Sequence, residues 1–379
     1  MTWPSPKGSV EQKKAFLRRL WSLENDDRPG FIIGFVGPKV RGGRPIRSAL
    51  FSTEGGGTVR DRLLDPEKFL TAQLAEIEDL LALEGDFVPC LCPAYGVVNV
   101  PSAFGCEVVW HEDNFPSVKP LPLADPCEVH DIAPPAVSSG EMGRILETTR
   151  YFIEKTRGRF PIRLTDIQGP LDSAALIMGH TGFLTALKTH PGEAHHLLQM
   201  ITDFTIACAK AQRDVVRQAG VEFVPSLFQP WMPDGSGISV SNDACVLVSA
   251  EEHNEFSLPY LDQVSRAFDG LYIHSCGRWL HQIPSLDKVR GLRGLEFGVS
   301  ETPFAPVSEH FGGRAVLACR VGLHRDIRFK GMGDYVAAIM KSKKTNRGLF
   351  INVDITNGLI DESWPETELS EIYRLLRGS

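Results

Sequence analysis

Apolar and polar residues recur along this chain in two rhythms, and the order of those rhythms predicts the fold. Residues 9–24 read as an amphipathic helix, with Phe16, Leu17, Leu20 and Trp21 on one face and lysines and arginines opposite. Short β-prone runs follow at 31–36, 86–92, 161–166, 222–228, 271–275, 293–297, 314–319 and 349–354. Helical periods separate them at 67–83, 140–156, 332–343 and 366–377, and most clearly at 192–219, where Leu197, Ile201, Phe204, Cys208, Ala211 and Val215 step by four and three before Gly220. A further helix starts at a capping box, Ser249 with Glu252, and runs toward Phe268 with Pro259 as a kink. Strand followed by helix, eight times over, predicts a (β/α)₈ TIM barrel of the α/β class.

Two stretches break the rhythm. Residues 37–60 are rich in glycine and basic residues and carry no period. Residues 114–139 hold prolines at 116, 120, 122, 126, 134 and 135 and read as an extended excursion over the barrel surface. A domain boundary there would leave an N-terminal piece with two strands, too few for a core. The expected organisation is a helical extension over 1–30 and a single barrel domain over 31–379.

Composition narrows the function. The 379 residues are 42% hydrophobic and 23% charged, enough apolar material for a full core. A net charge of -7 argues against nucleic-acid or anionic-membrane partners. No run approaches the roughly 20 apolar residues of a membrane span, and Met1–Lys7 has no apolar leader. Eight irregularly spaced cysteines read as free thiols of a reducing compartment, so a cytoplasmic protein is expected.

In a barrel, catalytic groups sit at the C-terminal ends of the strands. Those positions carry Lys39, Arg41, Arg44 and Arg47 after the first strand, then Cys90, Cys92 and Tyr95 after the second. Asp166-Ile167-Gln168-Gly169-Pro170, Gln229-Pro230-Trp231, and the pair His274 and Cys276 follow strands three to five. Glu296, then Cys319-Arg320, then Asp354 with Asn357 follow strands six to eight. His274 and Cys276 are two apart at a strand end, so they project to the same side and make two-thirds of a zinc site or a proton-transfer pair. Asp166 is the candidate general acid/base; capping the next helix or pairing with Arg163 is its plain alternative. Trp231 reads equally as a pocket floor or as rim packing. Gln168, Tyr95, Gln229, Asn357 and the basic Arg41 and Arg44 complete the expected substrate contacts.

Asn242-Asp243 through Pro259-Tyr260, followed by His274-Ser275-Cys276-Gly277, resembles the uroporphyrinogen decarboxylase superfamily, which includes cobalamin-linked methyltransferases. Ala103-Phe104-Gly105-Cys106-Glu107-Val108 and Asp166 to Asp172 agree with it, and the likeness runs in order over about residues 85–365. The resemblance implies a barrel. Its methyltransferase branch implies zinc held by His-x-Cys and a later cysteine, with a methyl group moving between a small molecule or thiol and a corrinoid. Here His274 and Cys276 match, whereas 352–358 contains no cysteine; Asp354 is the expected replacement, with Cys319 and Glu296 as alternatives. The chain has no Asp-x-His-x-x-Gly motif, so a corrinoid would arrive on a partner protein. The decarboxylase branch implies a metal-free lyase for an anionic, porphyrinogen-like or smaller substrate, although its Arg-Gln-Ala-Gly-Arg motif is absent. A non-catalytic ligand-binding barrel is the third reading. A barrel of this size commonly pairs with itself as a homodimer.

Overall fold

The computed structural model describes residues 9–33, 57–321, 329, 331–353 and 366–377. Its strands, in chain order, are β1 (Gly30–Ile33), β2 (Glu107–Val109), β3 (Ser117–Lys119), β4 (Ile162–Arg163), β5 (Phe223–Val224), β6 (Ile238–Ser241), β7 (Leu271–Ser275), β8 (Leu292–Gly298), β9 (Val316–Val321) and β10 (Leu349–Val353). A parallel sheet runs β1-β10-β9-β8-β7-β6, and β4 pairs in parallel with β5. Residues 86–91 bridge the two parts. The Asp86 N–H donates to the Phe31 carbonyl at 2.7 Å, and Leu91 pairs in parallel with Ile162. On the other side Gln168, beyond β4, pairs with Ser241 of β6. The wall therefore closes on itself, and the chain folds as the (β/α)₈ barrel its periodicity predicts.

The fourth unit differs from the expected one. Of the run 222–228, Phe223 and Val224 alone form ladder pairs, with Ile162 and Arg163 at the base of the barrel. Pro225 then removes an N–H from the ladder, and the Ser226 hydroxyl accepts the Phe228 N–H at 3.0 Å to turn the chain outward. The segment returns as β6, which pairs with β7 from Ile238↔Leu271 to Ser241↔His274. So β6, not 222–228, carries the fourth strand to the mouth. Gly169 is required there, because a Cβ on it would lie 2.3 Å from the Ser241 carbonyl oxygen.

Most helices fall where their periods predict, including Pro191–Gln218 and Glu141–Thr156. The capping box at Ser249 and Glu252 forms, but the break comes at Ser257, and Pro259 lies in the first turn of a new helix, Leu258–Phe268. Two helices without a sequence counterpart, Pro170–Met178 and His180–Thr189, follow β4. Within the proline-rich excursion, β3 pairs antiparallel with β2, and Pro126–Asp131 forms a 3₁₀ helix. The N-terminal helix Val10–Trp21 buries Leu17 and Leu20 completely, and its Trp21 ring meets Tyr272 of β7 edge-on at 5.1 Å. No helix among the described residues is long and apolar enough to cross a membrane.

Candidate functional site

The centre of the site is built by β7 and its two neighbours. His274 and Cys276 project to one side of β7, as a period of two requires. Glu296 stands opposite His274 in register on β8 and accepts the imidazole Nδ1–H. With Nδ1–H committed to Glu296, Nε2 is the ring nitrogen directed toward Cys276 and away from the carboxylate. The ring is also stacked on Phe228, centroids 4.3 Å apart, so its plane is fixed. Burial alone would pull the His274 pKa down, but Glu296, Cys276 and Asp243 outweigh it and raise it well above the usual imidazole range. Burial opposes ionisation of Glu296 too, yet His274 and Arg320 keep its carboxyl below the ordinary value. Gly277 allows the sharp turn after Cys276 through a φ of 76°.

The third member of the group comes from β6. Asp243 opens the 3₁₀ turn Asp243–Leu247 two residues past Ser241, and its carboxylate accepts the Cys276 N–H at 2.5 Å. Asp172, in the first turn of Pro170–Met178, accepts the N–H groups of Asp243 (2.7 Å) and Ala244 (2.6 Å). Burial, then the Asp243 charge, push the Asp172 carboxyl up to about 7 against those two donors. Asp172 thus positions the Asp243 backbone.

Asp243, His274 and Cys276 offer an oxygen, a nitrogen and a sulfur all within 4.8 Å of one another. Cys276 Sγ lies 3.3 Å from His274 Nε2, which lies 3.5 Å from Asp243 Oδ1. A tetrahedral zinc ion with ordinary bond lengths separates such donors by about 3.4–3.6 Å. The donor set and its spacing fit that ion, and among the described residues no fourth ligand joins the group. The Arg320 guanidinium lies 3.7 Å from the Cys276 sulfur and 3.7 Å from Glu296.

The other expected site residues divide by place. Asp166 is half-buried beside this group and accepts from Gln168 Nε2 at 2.9 Å; it neither caps a helix nor pairs with Arg163, which donates to the Ser226 and Phe228 carbonyls. Burial pushes the Asp166 carboxyl above its ordinary range, and the neighbouring Asp243 adds to this. Three expectations are corrected. Tyr95 is 1% exposed and shares a hydrogen bond with Thr148 at 2.7 Å, its ring packed edge-on against Phe69, so it presents no surface to a substrate. Trp231 is buried at the barrel base, where its Nε1–H donates to Glu222 at 2.9 Å, so it cannot floor a pocket at the mouth. Cys319 pairs in register with Phe297, one residue out of phase with Glu296, and its side chain is buried behind the wall. Glu296 is the partner of the imidazole, not a third donor to the group. Gln229 accepts from Arg163 at 3.0 Å and lines a cavity of about 280 Å³ with Cys90, Cys92 and Arg163, which none of Asp243, His274 or Cys276 touches. Arg41, Arg44, Asp354 and Asn357 lie outside the described residues.

Asp243 was missed as a site residue. Asn242-Asp243 entered only as part of the family-like stretch, although the alternation Ile238-Ser239-Val240-Ser241 that precedes it is a strand-end signal.

No curated protein matches the chain by sequence. Among solved structures, a methyltransferase from Methanosarcina mazei superposes with a TM-score of 0.67 at 18% identity, covering 98% of this chain and 99% of its own. The family model for uroporphyrinogen decarboxylase (URO-D) matches residues 51–302. With a closed barrel that carries its polar cluster at the strand mouths, the chain belongs to the uroporphyrinogen decarboxylase (URO-D) family.

Proposed function

We propose that this chain is a methyltransferase of the URO-D-like branch, moving a methyl group between a small molecule or thiol and a corrinoid carried by a separate protein. The observation that carries the reading is the spacing of Asp243, His274 and Cys276, three zinc-type donors within 4.8 Å of one another, with the sulfur–nitrogen and nitrogen–oxygen separations matching a tetrahedral zinc ion. The superposition on a methyltransferase supports it. Zinc bound there would supply Lewis acidity, which holds a thiol as its thiolate near neutral pH.

The chain's own residues do the rest. Glu296 and the Phe228 ring fix the imidazole, so that Nε2 faces the group without reorientation. Asp172 and the β6–β7 register hold Asp243 against Cys276. Arg320 places a positive charge beside the sulfur and favours an anionic group in its vicinity. Asp166 offers a carboxyl oxygen to substrate, with Gln168 Nε2 donating to the other. The domain reading remains one barrel over 31–379 with an N-terminal extension, in a cytoplasmic protein.

The reading is tested by methyl transfer from a panel of methylated small molecules to cob(I)alamin, with carboxylated substrates run in parallel. Transfer that is lost on Cys276→Ser supports it. Decarboxylation without transfer, unchanged by Cys276→Ser, would instead establish the metal-free lyase.

A further inference from the structure

A second group of unlike donors gathers where the proline-rich excursion rests on the corner between His180–Thr189 and Pro191–Gln218. The excursion is seated there by the fully buried Val129 and by His130, whose ring lies 4.4 Å from that of His196. Asp125 caps the 3₁₀ helix Pro126–Asp131, its carboxylate accepting the Cys127 N–H at 2.8 Å, so the carboxylate and the thiol are held together. Across the junction, Glu193 in the first turn of its helix brings a carboxylate oxygen to 3.8 Å from Cys127 Sγ. His190 sits in the bend itself. Its Nδ1 lies 2.9 Å from the Thr189 hydroxyl, whose own proton goes to the Thr185 carbonyl at 3.1 Å. The hydroxyl must then accept from Nδ1–H, which leaves the lone pair on Nε2.

Donor atoms of Asp125, Cys127 and His190 all lie within 4.8 Å of one another. Among the described residues, neither Asp125 nor Glu193 has an ion pair with a lysine or arginine. Two carboxylates beside one thiol repel its ionised form, so the Cys127 thiol is pushed above its ordinary value, led by its contact with Asp125.

We infer that Asp125, Cys127 and His190 form a second site for a zinc-class cation, with the Glu193 carboxylate beside its sulfur. Sulfur, nitrogen and oxygen are a zinc-type donor set, and the Glu193 oxygen, 3.8 Å from the sulfur, adds negative charge beside it. The ligands come from segments some sixty residues apart, so the ion staples the excursion onto the helix corner. Binding to the folded chain alone would stabilise it by mass action. This site stands independently of the reaction proposed above.

The test is titration of the Cys276→Ser protein with cobalt(II), because that variant removes the thiolate at the barrel mouth. One equivalent with thiolate-to-cobalt charge-transfer absorption is expected. Adding Cys127→Ser should abolish the absorption, and adding His190→Ala should weaken binding at least tenfold. Zinc should raise the melting temperature of Cys276→Ser but not of Cys276→Ser/Cys127→Ser. No absorption in Cys276→Ser, or an affinity unchanged by His190→Ala, overturns the inference, since the latter would leave a solitary thiol as the binder.

Discussion

Glu296 and His274 face each other across β8 and β7, and the carboxylate takes the imidazole Nδ1–H in a buried pair. Removing the charge while keeping the shape should leave the fold intact and loosen the imidazole. For Glu296→Gln, zinc affinity read by competition with a chelator should fall about 10–100-fold, the usual effect of a lost partner behind a ligating histidine. Wild-type affinity in this variant would show that Glu296 does not orient the ring.

A second histidine sets a pH dependence. His253 is fully buried, accepts from Asn242 Nδ2 at 2.9 Å and donates to Ser285 at 2.5 Å, and burial lowers its pKa to about 4. The unfolded chain protonates this residue near 6.5, so its neutral burial stabilises the fold fully above that pH. The contribution is lost as pH falls from 6.5 toward 4. Between pH 7 and pH 5 it should cost about 2 kcal/mol in wild type. Urea unfolding at the two pH values checks this, and His253→Gln should lose that portion of the slope. Equal slopes in both proteins would contradict the assignment.

Gly169 tests how the mouth is assembled. A methyl group there collides with the Ser241 carbonyl oxygen, which also accepts the Gly169 N–H at 2.8 Å. Gly169→Ala should cost about 1–3 kcal/mol of stability by denaturant melt, as overpacking does. It should also weaken metal binding, because β6 carries Asp243. An unchanged midpoint would mean that the two strands do not close as described.

The barrel was legible because parallel strands buried on both faces leave compact apolar runs, and those of β7, β8, β9 and β10 stand out in the sequence. His274 and Cys276 were legible for a local reason: a period of two at a strand end. The place of Asp243 beside them was not, since it depends on which strand fills the fourth wall position. Phe223-Val224 looks the stronger strand, yet Pro225 turns it out of the wall and β6 takes its place. Tyr95 and Trp231 were misread for a related reason. Sequence places them after strands, but the chain folds back and buries both rings, one between helices and one at the base.

Zinc binding by Asp243→Asn measures the central claim most directly, in a Cys127→Ser background so that the mouth site alone is read. The unsubstituted background should hold one equivalent, and Asp243→Asn should bind it at least a hundredfold more weakly while melting as before. One tightly held equivalent after that substitution would contradict a centre formed by Asp243, His274 and Cys276.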